Sequence, residues 1–170
     1  LEDDSLVVIN GRNNQVVKKI NLEYEFQYAN INRETNKLYI AISHHNPIYH
    51  YLYVIDENNN QTKKIFLDNA PNQVLINEKT NRIYVSYASS NKLTVIDGKS
   101  DSVATEISLK REYVLPVMTL DSILNKIYLV NIVDDNLTII DGEKDSVTAS
   151  FPIGPKGLKL LRANENNHYL

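Results

Sequence analysis

Two short motifs recur along this chain of 170 residues with nearly one period, and that recurrence limits the possible folds more than any other feature. The first reads Leu-x-Val/Ile-Ile and then Asp or Asn. It occurs at Leu6–Asn10, Leu52–Asp56, Leu93–Asp97 and Leu137–Asp141, with offsets of 46, 41 and 44 residues. The second reads Asn-basic-apolar-Tyr-apolar and occurs at Asn36–Ile40, Asn81–Val85 and Asn125–Leu129, spaced by 45 and 44. A worn fourth copy is read at Asn166-Asn167-His168-Tyr169-Leu170. Repeats of forty-odd residues, each holding several short apolar runs, are the mark of four-stranded blades arranged as a β-propeller.

Composition agrees with strands and turns. The 22 Asn suit turns, the 11 Tyr suit a pleated and half-buried backbone, and no apolar stripe of helical period runs for three turns. The nearest helical stretch, Asn77 to Arg82, is polar and short. The expected fold class is therefore all-β, with antiparallel four-stranded blades and about four repeats in one domain over residues 1–170. In the third repeat strands are predicted near 72–76, 82–86, 92–96 and 102–108. The third strand of each repeat is apolar at nearly every position, as expected where neighbouring blades cover both faces. Asp97-Gly98, Asp141-Gly142 and Asn10-Gly11 are read as tight reversals in which Gly accepts positive φ.

The blade units are expected at 25–68, 69–111 and 112–152, with 1–24 and 153–170 as complementary outer and inner halves. Those halves could pair to close a ring of four blades. The alternative is part of a larger, typically seven-bladed propeller, which needs about 300 residues at this repeat length.

The stretches Pro71–Val85 and Leu93–Gly98 resemble the YVTN-type β-propeller repeat, whose consensus runs roughly P-x-G-I-A-V-N-P-x-T-N-K-I-Y-V and then V-T-V-I-D. The likeness covers essentially the whole chain. Pro71 and Pro155 keep the family's proline, whereas Phe26 and Leu115 replace it, and Gly157 alone keeps its glycine. The resemblance implies a secreted or surface-displayed protein of archaeal or bacterial surface-layer type, and it carries over no catalytic residues.

Several function classes are set aside by composition. Eighteen Lys plus Arg against 21 Asp plus Glu give a net charge of −3, which argues against nucleic-acid binding. The absence of Cys removes disulfides and thiolate chemistry. No apolar run reaches the length of a membrane span, and no signal segment opens the chain. Gly98-Lys99-Ser100 lacks the earlier glycine of a phosphate loop, and the Asp97 and Asp141 turns lack the alternating carboxylates of a calcium loop. No catalytic residue, metal ligand or cofactor is assigned.

The candidate site is the segment Ser43 to Tyr51. From Tyr39 to Ile55 is 16 residues, against 12 in the two following repeats, so this hairpin carries four extra residues. Three of the four histidines lie in or beside this insertion, whose plainest reading is an exposed polar loop with a Tyr-lined strand. His44, His45, Tyr49, His50 and Tyr51 are the expected ligand or partner contacts. Imidazoles suit transition metals, but the segment offers no carboxylate to complete a set. Tyr49, Tyr51 and Tyr53 alternate and share one side of a strand, where packing between blades outweighs ligand stacking. The favoured function is a non-enzymatic surface module that binds a protein, a glycan or another copy of itself. The alternative is a small-molecule or metal-dependent enzyme with its site at the channel mouth, as in lactonase- or oxidoreductase-like propellers.

Overall fold

A computed structural model describes residues 5–22, 26–45, 48–131, 136–154, 161–164 and 166–168, with the backbone alone for His45 and Arg111. Strands β1 (Ser5–Asn10) and β2 (Gln15–Asn21) form a two-stranded hairpin. Three four-stranded antiparallel sheets follow in simple meander order. The first holds β3 (Phe26–Asn32), β4 (Lys37–His45), β5 (Ile48–Asp56) and β6 (Gln61–Leu67). The second holds β7 (Pro71–Asn77), β8 (Arg82–Tyr87), β9 (Ser89–Asp97) and β10 (Ser102–Val114). The third holds β11 (Val117–Asp121), β12 (Lys126–Asn131), β13 (Asn136–Asp141) and β14 (Ser146–Pro152). The all-β, bladed architecture is thus the one the repeats imply, and no helix occurs among the described residues. Asn77 to Arg82 is the end of β7, a turn, and the start of β8.

The first strand of each sheet lies beside the first strand of the next. Asn30 Nδ2 donates to the Val74 carbonyl at 3.1 Å, joining β3 to β7. Gln73 Nε2 donates to the Met118 carbonyl at 3.0 Å and its Oε1 accepts the Met118 amide at 2.8 Å, joining β7 to β11. The sheets pack face to face around these inner strands. On β8, Ile83, Val85 and Tyr87 face the first sheet, whereas Tyr84 faces the third. On β4, Tyr39 and Ala41 face the second sheet while Ile40 and Ile42 face the β1–β2 hairpin. A strand buried on both faces has no wet side to alternate with, which explains the unbroken apolar runs. Each such Ile, Val or Leu contributes about 1.5–3 kcal/mol of burial.

Polar locks repeat along the seams. Tyr84 Oη donates to Asp145 Oδ1 at 2.5 Å, and Tyr39 Oη to Asp101 Oδ1 at 3.3 Å, each reaching the outer turn of the next sheet. Burial first, and then the neighbouring carboxylate, push both phenols above the ordinary tyrosine range. Lys37 Nζ also pairs with Asp101 Oδ2 at 2.6 Å. Asn32 Nδ2 donates to Asn81 Oδ1 at 2.9 Å, and Asn77 Nδ2 to Asn125 Oδ1 at 2.6 Å. At the third seam the same place is taken by a different pair, Asp121 Oδ2 and His168 Nδ1 at 2.8 Å.

That pair corrects the reading of the fourth copy. The residue that enters left-handed backbone at the inner turn is Asn36, Asn81 and Asn125, with φ of 53, 51 and 54°, and then His168 at 59°. Asn164 Oδ1 accepts the Asn166 amide at 3.1 Å, as Asn32 Oδ1 accepts that of Glu34 at 3.1 Å. The fourth inner turn therefore runs from Asn164 to His168, two residues out of register with the sequence reading, because His replaces the expected Asn.

Glycine also plays a different part from the one expected. In the outer turns the left-handed residues are Asn14, Asn60, Asp101 and Asp145, with φ of 58, 56, 49 and 49°. Gly98 and Gly142 are not among the positive-φ residues; they sit against the inner turn of their own sheet. Each donates its amide to the carbonyl of Asn81 or Asn125 at 2.9 Å. A Cβ on Gly98 would lie 2.2 Å from Asn81 Oδ1, and one on Gly142 2.6 Å from Asn125 Oδ1. Close approach is what excludes a side chain there.

In the second sheet the fourth strand runs on to Val114, past the predicted 108. β9 begins early enough to pair Ser90 with Tyr113, whose buried ring fills the seam to the third sheet. The expected pairing of 1–24 with 153–170 falls partly on residues outside the described set; among the described residues β1 pairs with β2 alone.

Candidate functional site

The four extra residues of the first sheet lengthen its central ladder. β4 and β5 each have nine residues, whereas β8 and β12 have six. His44 pairs with Tyr49 and His45 with Ile48, so the expected polar loop is two further rungs of sheet, with residues 46 and 47 at its tip outside the described set. Insertion of an even number keeps the pleat in phase, and every side chain below it stays on its proper face.

Strand alternation divides the candidate residues into two groups. His50 stands across from Ser43, and its Nδ1 lies 3.0 Å from Ser43 Oγ. These two share the face that carries Leu52 and Ala41 toward the second sheet. His44 and Tyr49 stack at 5.4 Å on the opposite face. That face continues through Tyr51 and Tyr53 into the seam with the β1–β2 hairpin, where Tyr49, Tyr51 and Tyr53 pack around Leu22, Ile40 and Ile42. Tyr51 is buried, edge-on to Tyr53 and Phe66 at 6.4 Å, with Lys64 Nζ 4.8 Å from its ring centre. The row of tyrosines therefore packs between blade elements. The His45 side chain lies outside the described residues. Among the described residues no three of His, Asp and Glu converge.

Beside Ser43 the first and second sheets enclose a cavity of about 310 Å³. Gln27 and Ser43 come from the first sheet, Pro71 and Asn72 from the start of β7, Ala88 from the link between β8 and β9, and Leu115 from the link into β11. Among the described residues no charged side chain lines it. Leu115 has φ of 46°, a left-handed conformation rare for a branched side chain, and it precedes a proline. Its amide donates to the Ala88 carbonyl at 2.9 Å, which holds the strained residue at the cavity rim with its side chain half exposed. Such strain persists only where surrounding structure enforces it, and it concentrates at functional positions. Gln27, Asn72 and Leu115 escaped sequence reasoning because they meet only in three dimensions. The one local sign was Leu115-Pro116, where the repeat consensus has its proline one residue earlier.

Solved structures with the same arrangement are β-propeller-like proteins, and the chain shares that fold. Virginiamycin B lyase from Staphylococcus aureus superposes with a TM-score of 0.73 at 16% identity, over 97% of this chain and 55% of that one. Hydrazine synthase from Kuenenia stuttgartiensis gives 0.71 at 16% identity, over 88% and 43%. Apo AztD from Citrobacter koseri gives 0.67 at 12% identity, over 90% and 42%. The chain thus spans about half the length of these proteins. No family model matches the sequence, and no curated protein does. No helix among the described residues is long and apolar enough to cross a membrane.

Proposed function

We propose that this chain is a non-enzymatic recognition module of the extracellular or cell-surface kind found among YVTN-type repeat proteins. Its blades hold the cavity and the adjoining His44–Tyr49 and Ser43–His50 rungs of the first sheet for a protein or glycan partner. The observation that carries this reading is the cavity's lining. Amide and hydroxyl groups from Gln27, Ser43 and Asn72 stand beside apolar Pro71, Ala88 and the strained Leu115, with no charged side chain among the described lining residues. Such a surface suits a neutral, hydroxyl- or amide-bearing group, because directional polar contacts and an apolar wall act together. His50 and Ser43 join the cavity to the extended hairpin, so both belong to one contact surface. The test is a printed array of neutral and acidic glycans together with immobilised surface-protein ectodomains. Saturable binding that falls at least tenfold in Leu115→Asp and His50→Ala, with unchanged melting, supports the proposal. Binding unchanged by both substitutions refutes this site.

One observation favours a second, enzymatic reading. Ser43 Oγ and His50 Nδ1 are within hydrogen-bond distance at the cavity wall, the arrangement by which an imidazole activates a hydroxyl nucleophile. Two of the structurally similar proteins, the lyase and the synthase, bear enzyme names, but at 16% identity they speak to fold alone. A fluorophosphonate probe decides: stoichiometric labelling of Ser43, lost in His50→Ala, would establish the enzymatic reading, and no labelling leaves the recognition module standing.

A further inference from the structure

A second hollow adjoins the cavity. Its described lining is Asn69 from the link between β6 and β7, Ser89, Ser90 and Asn91 from the start of β9, and Glu112 near the end of β10. It holds about 320 Å³, close to the 310 Å³ of the cavity. The two are neighbours through consecutive residues, since Ala70 and Ala88 line one while Asn69 and Ser89 line the other. At that junction the Ala88 amide donates to the Ala70 carbonyl and the Leu115 amide to the Ala88 carbonyl, both at 2.9 Å.

An irregular ladder builds the hollow. In the second and third sheets the fourth strand carries one unpaired extra residue, Ala104 or Thr148. The second sheet adds a much wider bulge. Ser108 pairs with Lys92 and Tyr113 with Ser90, so residues 109–112 all stand against Asn91. Bulges re-aim side chains at functional places, and this one brings Glu112 to Ser89, whose Oγ donates to Glu112 Oε1. The third sheet holds it there. Buried Asn131 of β12 donates from Nδ2 to the Glu112 carbonyl and accepts the Val114 amide on Oδ1, both at 3.3 Å. Between those contacts the buried Tyr113 is hydrogen-bonded to Thr138 of β13. Glu112 is thus an exposed carboxylate on a backbone fixed by the neighbouring blade.

The described side chains of the hollow all end in an amide, a hydroxyl or a carboxylate, and none is apolar. Sugar hydroxyls suit that set, because they both donate and accept. The amides of Asn69 and Asn91 take either part, while ionised Glu112 only accepts. The same carboxylate excludes. Glu112 is the one charged group among the described lining residues; Lys92 is paired with Asp68 and Glu106, and Lys110 does not line the hollow. An acidic sugar would therefore meet a like charge, which selects against it.

Resting on the reading of the cavity as a recognition site, we propose that cavity and hollow are two subsites for a neutral glycan of at least two sugar units, with Glu112 rejecting acidic ones. One unit lies against Pro71 and Leu115, its hydroxyls toward Gln27, Ser43 and Asn72. The next lies on Asn69, Asn91 and Glu112. Joining the two contacts through one ligand raises affinity above that of either alone.

An array printed with neutral monosaccharides, their di- and trisaccharides, and the same oligosaccharides oxidised to uronates at C6 tests this. Neutral di- or trisaccharides should bind at least about tenfold tighter than monosaccharides or uronates. Asn91→Ala, at an exposed position, should cut the advantage over monosaccharides about fivefold or more with unchanged melting. Glu112→Gln keeps the size and removes the charge, so it should narrow the neutral-to-uronate ratio about fivefold or more. Disaccharide binding abolished by Leu115→Asp but untouched by Asn91→Ala and Glu112→Gln overturns the second subsite and leaves the cavity reading standing. A preference for uronates, or equal binding at every length, does the same. Binding of protein ectodomains without any glycan overturns the glycan proposal alone, whereas no binding of either kind overturns it together with the recognition reading.

Discussion

The three repeat tyrosines form a graded series that tests the seams directly. Tyr84 donates to Asp145 at 2.5 Å, Tyr39 to Asp101 at 3.3 Å, and Tyr128 makes no phenol hydrogen bond among the described residues. Tyr→Phe keeps the ring and its apolar contacts, so the cost is that of the hydrogen bond. Bonds to charged acceptors are worth about 1.5–3 kcal/mol. Asp145 retains Arg82 Nε at 3.6 Å, which places Tyr84→Phe toward the lower end, about 1.5–2 kcal/mol. Tyr39→Phe has a longer bond to lose, and Asp101 keeps Lys37 at 2.6 Å, giving about 0.5–1 kcal/mol. Tyr128→Phe should fall within about 0.5 kcal/mol of wild type. Urea titrations should show midpoints falling in that order with the slope m unchanged, and Tyr84→Phe should lower Tm by roughly 3–8 °C for a chain of this size. The pH dependence has a definite sign. A phenol raised on folding contributes fully below the unfolded value of about 10, and the contribution is lost as pH rises beyond it. Alkaline destabilisation should therefore be weaker in Tyr84→Phe. Equal losses at all three positions, or the largest loss at Tyr128, would refute the reading of the seams.

Two further outcomes follow from the turns. Gly142→Ala should destabilise by about 1–3 kcal/mol in chemical denaturation, because its Cβ would stand 2.9 Å from the Asn125 carbonyl oxygen and 2.6 Å from Oδ1; a neutral effect would show that the close approach is not enforced. Acid should loosen the seam to residues 161–168. Burial of the Asp121 carboxylate works to raise its pKa, but the Leu124 amide and His168 outweigh it and hold the group below the usual range. Its contribution is present above about pH 3.9, the unfolded value, and is lost as pH falls below it. Asp121→Asn, which restores an amide at this position, should reduce the acid loss, read as the pH midpoint of near-ultraviolet circular dichroism; an unchanged midpoint would show that the pair does not govern it.

Most of the blade architecture was legible because it is encoded locally and repeatedly. Leu93 to Asp97 and Asn81 to Val85 fix strand, turn and strand within a dozen residues, and each copy repeats the message. The errors lie where one residue took another's place across a seam. His168 occupies a position held elsewhere by Asn, and its partner Asp121 replaces Asn77 and Asn32, so the fourth copy was misaligned by two. Gly98 was assigned a turn conformation because its neighbour across the sheet, Asn81, cannot be identified from adjacent sequence. The lengthened hairpin at His44 and Tyr49 was read as a loop, since polar His and Asn outweighed the β-forming Ile48, Tyr49 and Tyr51. The cavity had no sequence signal beyond Leu115-Pro116, because its wall is assembled from two sheets and the link into the third.

The radial order of the sheets is tested most directly by cross-linking across the inner seams, which the absence of native Cys makes unambiguous. Cysteine pairs replacing Asn32 with Asn81, and Asn77 with Asn125, should oxidise to single intramolecular disulfides in the folded chain. The crossed pair, Asn32 with Asn125, should not. Ready oxidation of the crossed pair, or failure of both matched pairs, would contradict a propeller arc.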